Sequence, residues 1–359
     1  MNKIVKIRKK LAGLILDALF ISNQYNVSYL TGFAGLSPNE REGFLFVTRS
    51  LAYLLTFPTY FGLFKKGGNG FTSLNITREI RMSDHLTEII KREKINKIGF
   101  EKDNLTVSEY ESLKTKLPSF LTPTENIVEE ERLTKDNDEI TKIKSAAKMT
   151  DMAFEYIKEK IKKGVSEKDL ALELEFFLKK NAGDIAFPPI VAYDENAAIP
   201  HYLSSNDQRL TTNSLILLDF GAKVEGYCAD MTRVVFFGSP NNNQVKIYNT
   251  VLKSQELALK KIKSGLKTAE IDKVAREYIK SAGFPEYPHG LGHGVGLAIH
   301  EAPRLKPESL EVLKENMVVT VEPGIYLEGN CGVRIEDLVV LTKEGCEILS
   351  KSSKDITIL

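Results

Sequence analysis

The sequence predicts two domains: an α/β domain over residues 1–128 and an α+β domain over residues 129–359, the second built from two halves with the same order of elements. Three observations carry that reading. A length of 359 residues exceeds that of one ordinary domain. The first domain alternates short strand-like runs with helical patterns. The remainder passes twice through two amphipathic helices, an irregular segment and an apolar hairpin.

The opening MNKIVKIRKKLAGLILDALF has a basic start and an apolar stretch, but Asp17 interrupts it and no small-residue cleavage site follows. It reads as an amphipathic helix running into the strand DALFIS (17–22). GFLFVT (43–48), AYLLTF (52–57) and KIGFE (97–101) read as further strands, and SDHLTEIIKREK (83–94) and TVSEYESLKTKL (106–117) as helices. A charged, proline-bearing stretch, LTPTENIVEEERLTKDNDEI (121–140), reads as the domain boundary. Beyond it come helices over 139–163 and 167–180, then AFPPIVAYDENAAIPHYL, then the hairpin LILLDFGAKVEGYCADMTRVVFFG (215–238). Helices over 243–263 and 268–281, a histidine-rich segment and the hairpin MVVTVEPGIYLEGNCGVRIEDLVVLT (317–342) repeat the plan. Gly164, Gly183, Gly265 and Gly283 fall where helix caps are expected.

Bulk composition narrows the function. Hydrophobic content of 42% and charged content of 27% are ordinary for a globular chain. A net charge of +1 gives no reason to expect nucleic acid or an anionic membrane as partner. No run approaches the roughly 20 apolar residues that span a bilayer. Cys228, Cys331 and Cys346 are odd in number and form no C-x-x-C pair, which predicts a reducing, cytoplasmic setting.

HGLGHGVGLAIHEAP (289–303) holds three of the five histidines. Its glycines fall at every second position, which suits neither a G-x-G-x-x-G phosphate loop nor a metal-binding helix; each interior helical glycine would cost about 1 kcal/mol. The period of two predicts an extended segment with His289, Leu291, His293 and Val295 on one face. Residues four apart on a strand lie about 13 Å from one another. His289 and His293 therefore cannot share one ion, and a metal site needs partners from elsewhere.

Each hairpin supplies two acids in apolar surroundings. With Lys223-Val224-Glu225-Gly226 as the turn, Asp219 sits opposite Asp230; Glu322 and Glu336 are equidistant from Gly329. Pro323 and Gly324 must distort the second ladder. Paired carboxylates at such spacing repel unless something positive lies between them. A lone acid on a hairpin is ordinarily solvated, but two hairpins with the same opposed pair, one preceded by a glycine-flanked histidine, weaken that explanation. Four carboxylates and His293 form a donor set for two divalent ions about 3.5–4 Å apart. Oxygen-dominated ligation favours manganese, cobalt, iron or zinc over copper.

The stretches LLDFGAKVEGYCADMTR, HGLGHGVGLAIHEAP, VEPGIY and VRIEDLVVLT, with AAIPHY (197–202) and YLTGF (29–33), resemble the proline-specific metallopeptidases of the "pita-bread" class, Xaa-Pro dipeptidase (prolidase) and short-form Xaa-Pro aminopeptidase. The resemblance covers essentially the whole chain. It implies a pita-bread catalytic domain with pseudo-twofold halves, and metal ligands Asp219, Asp230, His293, Glu322 and Glu336 holding two divalent ions, manganese the first expectation. It implies that His201 and His300 face substrate and steady the oxyanion or shuttle protons, that Arg334 supports a metal-ligating acid at the substrate side, and that His289 lies on the substrate side. Glu322 is expected to carry a proton from the attacking water to the leaving proline nitrogen. Thr232 and Arg233 are expected to pack or support ligands, and His85 to be a surface residue. Arg304, four residues after His300, matches an arginine that in some prolidases holds the free carboxylate of a C-terminal proline. The expected activity is cleavage of Xaa-Pro dipeptides, by a homodimer acting on small peptides. Xaa-Pro aminopeptidase is the alternative, and methionine aminopeptidase, metal-free creatinase and a non-catalytic module of the same fold are remoter ones. Two positions depart from the family pattern, Ser204 for proline and Glu195 for glycine, and neither is a ligand.

Overall fold

The computed structural model describes residues 3–33, 40–64 and 70–359. The chain divides into two compact units at Arg132/Leu133. In the first, helices α1 (Lys3–Gly13), α2 (Gln24–Thr31), α3 (Pro58–Phe64), α4 (Met82–Glu93), α5 (Val107–Lys116) and α6 (Glu129–Leu133) accompany strands β1 (Ala18–Ile21), β2 (Gly43–Thr48), β3 (Ala52–Thr56), β4 (Thr72–Asn75), β5 (Lys97–Glu101) and β6 (Phe120–Thr124). The strands form one mixed sheet in the order β4-β3-β2-β1-β5-β6. Phe20, Phe46, Leu55, Ile98 and Leu86 close its core.

Part of the stretch read as a boundary is thus regular structure. Pro123 is tolerated in β6 because that strand is the edge of the sheet, where a missing N–H costs no ladder bond. The first unit extends through Arg132, whose buried guanidinium donates to Asn26 Oδ1 at 2.8 Å.

The second unit carries α7 (Asn137–Lys158), α8 (Glu167–Asn181), β7 (Asp184–Ile185), β8 (Ile190–Tyr193), β9 (Ser214–Phe220), β10 (Ala222–Val224), β11 (Tyr227–Cys228) and β12 (Met231–Phe237). It continues through α9 (Asn242–Lys261), α10 (Thr268–Ser281), β13 (Gly292–Gly294), β14 (Glu301–Leu305), β15 (Val318–Val321), β16 (Gly324–Leu327), β17 (Cys331–Arg334), β18 (Asp337–Leu341), β19 (Cys346–Ile348) and β20 (Thr357–Ile358). Each half contains three consecutive antiparallel strands, β8-β9-β12 in the first and β13-β15-β18 in the second. Leu217, Val234, Ile247, Ile271, Val319 and Val339 join both halves in one apolar core. Gly183 and Gly283 follow the helix ends within two residues, whereas Gly164 and Gly265 lie in later turns.

The first hairpin departs from the expected register. Glu225 (φ 48°) and Gly226 (φ 84°) both take the left-handed conformation, the requirement of a two-residue type I′ turn. Val224 therefore pairs with Tyr227, and Asp219 lies opposite Thr232 rather than Asp230. Asp230 falls in the break between β11 and β12. The second hairpin turns about Gly329, with Leu327 paired to Cys331. Its ladder stops at Gly324↔Arg334 and resumes at Val321↔Asp337, leaving Glu322 and Glu336 in the interruption that Pro323 imposes.

Close approach of strands accounts for the spaced glycines. A Cβ at Gly292 would lie 2.1 Å from the Thr320 carbonyl oxygen, and one at Gly294 2.1 Å from that of Ala302. Leu291 and Val295 are fully buried between them. Gly292→Ala is expected to destabilise the fold by about 2 kcal/mol or more through overpacking against backbone. Gly345→Ala, where a Cβ meets nothing within 4 Å, should stay within about 0.5 kcal/mol. Urea unfolding of both variants checks the contrast.

Candidate metal and peptide site

A cavity of about 680 Å³ in the second unit is lined by the ten residues expected to ligate metal or face substrate: His201, Asp219, Asp230, His289, His293, His300, Arg304, Glu322, Arg334 and Glu336. Its inner end is acidic. Asp219, Asp230 and Glu336 are buried, and the Glu322 side chain is 15% exposed. Ligand atoms of Asp230, His293 and Glu336 lie within 4.8 Å of one another. His293 Nε2 stands 3.5 Å from Asp230 Oδ2 and 3.4 Å from Glu322 Oε1.

The interrupted ladders make this possible. Within a continuous strand, the Glu322 and Glu336 backbones would be committed to pairing. Instead Glu322 N–H donates to Leu291 O at 2.8 Å, tying the acid to the histidine segment, and Glu336 N–H donates to Thr232 O at 3.2 Å, tying it to the first hairpin.

Two buried threonines orient the acids. Thr320 Oγ1 accepts from the His293 N–H at 3.0 Å and donates to Glu322 Oε1 at 2.9 Å. Thr232 Oγ1 accepts from Arg334 Nε at 3.0 Å and donates to Glu336 Oε2 at 2.7 Å. Arg334 Nη2 reaches Asp219 Oδ2 at 2.5 Å, while Nη1 donates to Tyr326 OH at 2.9 Å and Pro200 O at 3.3 Å. Arg334 is thus committed to the protein. So is His289: Nδ1 lies 2.7 Å from Gly290 O and Nε2 2.8 Å from Tyr326 OH. Both line the cavity, yet their polar atoms serve the Asp219 side of the cluster.

Thr320, Tyr326, Asp272 and Arg276 were not singled out in the sequence. Thr320 precedes Glu322 by two, the spacing that puts two strand residues on one face. Asp272 and Arg276 show the i,i+4 charge pattern, but their target, the start of the histidine segment, is not encoded locally. Arg276 pairs with Asp272 at 2.6 Å and donates to the Tyr287 and His289 carbonyls, while Asp272 Oδ1 accepts from Leu291 N–H at 2.9 Å.

His300 and His201 are exposed at the cavity. The His300 ring meets that of His293 edge to face, centroids 4.5 Å apart. Arg304 on β14 is paired directly with His293 on β13, so both side chains leave the sheet on one face. Of the two departures, Ser204 lines the cavity and bonds the Val191 N–H and C=O. Glu195 is exposed and outside the lining. His85 sits in the first unit, 2.8 Å from Asn75 O.

Burial and proximity shift the ionisations. Burial, then the neighbouring carboxylates, raises Asp230 and Glu336, and burial lifts Glu322 to about 7. Burial, reinforced by His300, depresses His293 to about 3, which keeps its imidazole neutral and able to ligate. Asp219 Oδ1, Asp230 Oδ1 and Glu336 Oε1 are buried with no hydrogen-bond partner among the described residues. Unpartnered carboxylate oxygens beside a neutral imidazole are the donor set a divalent cation takes. The residues fit a metal.

Such a donor cluster, set where two interrupted hairpins of a duplicated domain meet a glycine-spaced histidine segment, is that of a metal-dependent hydrolase. The chain belongs to metallopeptidase family M24, whose model matches residues 141–343. The creatinase/prolidase N-terminal domain model matches residues 3–134. The uncharacterized peptidase YqhT of Bacillus subtilis is 34% identical over 99% of this chain and 100% of that protein. An Xaa-Pro dipeptidase from Bacillus anthracis superposes with a TM-score of 0.94 at 37% identity, covering 99% of each chain. An X-Pro aminopeptidase from Thermotoga maritima gives 0.89 at 33%, covering 98% of this chain and 99% of that one. The prolidase of Pyrococcus horikoshii gives 0.90 at 32%, covering 99% and 100%. The protein is therefore a metallopeptidase with the pita-bread fold. No helix of the described residues is long and apolar enough to cross a membrane.

The ionisations set a pH dependence for metal-stripped protein. A carboxyl whose folded pKa is raised binds more protons folded than unfolded, so stability falls as pH climbs from the unfolded to the folded value. For Glu322 that window runs from 4.5 to about 7. The melting temperature of stripped protein is expected to drop across it. Saturating divalent ion should raise the melting temperature and remove the drop. A flat profile without metal would contradict the cluster's role.

Proposed function

We propose that the protein hydrolyses the bond preceding proline in Xaa-Pro dipeptides. Asp219, Asp230, His293, Glu322 and Glu336 hold two divalent ions in this reading, with manganese first because carboxylate oxygens dominate the donors. Bound there, the ions would supply Lewis acidity to a water and to the scissile carbonyl. The chain's own residues do the rest. Glu322 accepts the water's proton and returns it to the leaving proline nitrogen. His300 and His201, exposed in the cavity, donate toward the developing oxyanion. Arg334, Thr232 and Thr320 hold the ligating acids in place. A dedicated enzyme is called for because proline lacks the amide N–H. Three free cysteines suit a cytoplasmic setting.

The observation that carries the dipeptidase reading is Arg304. It stands directly across from His293, is exposed to the cavity, and makes no ion pair among the described residues. A guanidinium free to make two parallel hydrogen bonds suits the terminal carboxylate of a dipeptide. A longer peptide presents an amide there instead. The aminopeptidase alternative keeps its support in the 33% identity to the Thermotoga enzyme.

Arg304→Ala is expected to lower kcat/KM on Xaa-Pro at least about tenfold, the loss of a charge-assisted contact, and on Xaa-Pro-Yaa much less. Equal losses on both peptides, or a wild type that prefers the tripeptide, would assign the aminopeptidase activity instead. His300→Ala and His201→Ala should each reduce kcat by roughly 10²–10⁴ with metal content unchanged. Loss of metal in either variant, measured by elemental analysis, would make that histidine a ligand.

A further inference from the structure

Arg304 has a second cation beside it. β14 is the edge strand of its sheet, and its outer end alternates between core and cavity. Leu305 is fully buried in the apolar core, whereas Arg304 before it and Lys306 after it are exposed, and both line the cavity. Alternation puts these two side chains on one face, with Cα atoms about 7 Å apart. Neither makes an ion pair among the described residues.

The backbone beneath them is braced. Arg304 pairs with His293, and Leu305 with Gly292. The Arg304 N–H donates to Glu311 Oε2 at 2.8 Å, and the Ser309 hydroxyl donates to the same oxygen at 3.3 Å. The Lys306 carbonyl accepts from the Ser309 N–H at 3.2 Å, which closes a turn just past the strand. Gly290, also in the cavity wall, makes room for the lysine stem: a Cβ there would lie 3.4 Å from Lys306 Cβ and 2.7 Å from the Leu305 carbonyl oxygen. Lys306 thus leaves a fixed strand end over bare backbone, on the face that carries Arg304.

A carboxylate offers about four lone-pair sites. A guanidinium fork fills two of them in parallel and leaves the others open. An ammonium with three donors on a flexible stem can reach those from the side. We propose that Lys306 is a substrate-binding residue that holds the peptide's C-terminal carboxylate together with Arg304. The proposal rests on the reading of Arg304 as the holder of that carboxylate. A lysine that is only solvated at the rim would leave recognition of the free acid to Arg304 alone.

The test uses full-length, manganese-loaded protein with the variants Lys306→Met and Lys306→Arg. The substrates are Xaa-Pro and its C-terminal amide, which differ only in the carboxylate. Lys306→Met should raise KM on the acid about 5–10-fold, the effect of one exposed charge-assisted hydrogen bond. Its kcat should stay within about twofold, because the contact serves ground state and transition state alike. KM on the amide should not change, and Lys306→Arg, which keeps the charge, should hold KM on the acid within about threefold. In an Arg304→Ala background Lys306→Met should have a different effect from the one it has alone, since the two cations share one ligand. An unchanged KM on the acid, or equal losses on acid and amide, overturns the proposal. Arg304→Ala losing as much on the amide as on the acid fails the Arg304 reading by itself, while Lys306→Met still reports on Lys306. Should the wild type cleave no Xaa-Pro dipeptide, the dipeptidase reading falls, and titration calorimetry with L-proline and L-prolinamide decides the role of Lys306. A wild-type preference for proline that shrinks at least about fivefold in Lys306→Met supports it; equal wild-type affinities, or an undiminished preference in the variant, overturn it.

Discussion

Four carboxylates are drawn into one buried cluster, and the rest of the catalytic unit answers to that electrostatic constraint. Burying a single ionised carboxylate is costly; burying four side by side is tenable only with protons or cations among them. The backbone yields first. Asp230 sits in the break after Phe220 of the first hairpin, and Glu322 and Glu336 sit in the break between Val321 and Gly324 of the second, while Asp219 stays in its ladder opposite Thr232. Side-chain support follows. Arg334 neutralises one oxygen of Asp219, and the Thr232 and Thr320 hydroxyls each fix one oxygen of a glutamate. What stays unpartnered among the described residues is one oxygen on each of Asp219, Asp230 and Glu336.

Behind the cluster a second layer of charge is fully paired. Arg233 and Asp337 are 1% and 0% exposed and meet at 2.7 Å, with Lys354 completing the neutralisation at 2.5 Å. Arg233 also donates to the carbonyls of Thr232 and Glu336, so it holds the backbone on either side of the Thr232–Glu336 contact. A buried ion pair with every donor and acceptor engaged contributes little net stability but tolerates one geometry only. Geometry is what a metal centre demands, since a shifted ligand weakens affinity as well as chemistry.

Much of this was legible in the sequence because it violates ordinary patterning. Acids inside apolar strands and glycines alternating with histidines stand out, and the acids and histidines so identified share one cavity with His201, Arg304 and Arg334, which the family resemblance implied. The register of the first hairpin was not legible, because it turns on whether Glu225 adopts a positive φ, which non-glycine residues seldom do. A proline disguised edge strand β6, and α2 and α3 are too short for a helical period to show. The pairing of Lys135 with Glu301 and the Arg276 contacts to the histidine segment depend on tertiary proximity alone. The Thr320 hydroxyl shares a strand face with Glu322, so its place was implicit in the alternation, but a threonine in a strand carries no distinguishing signal.

Charge is also sorted by depth in the cavity, and that sorting bears on how a peptide enters. The inner end carries the acids; farther out the wall presents Lys168, Arg304 and Lys306, none of them in an ion pair among the described residues. The one carboxylate on the outer α8 wall, Glu175, is already engaged by Lys179 at 2.6 Å. Two divalent ions would cancel the four inner acids and leave Arg334 as a surplus, so the outer cations would not be neutralised from within. In the proposed function, a peptide's terminal carboxylate would be drawn to the outer wall and its carbonyl would turn inward, toward the ions that the donor cluster would hold. Pro188, Pro189 and Ile190 line the cavity with apolar surface, which suits a proline ring and offers no donor that its tertiary amide would leave unpaired. In that reading polarity would align the substrate and apolar contact would seat it, with the scissile carbonyl facing the ions that Asp219, Asp230 and Glu336 would hold.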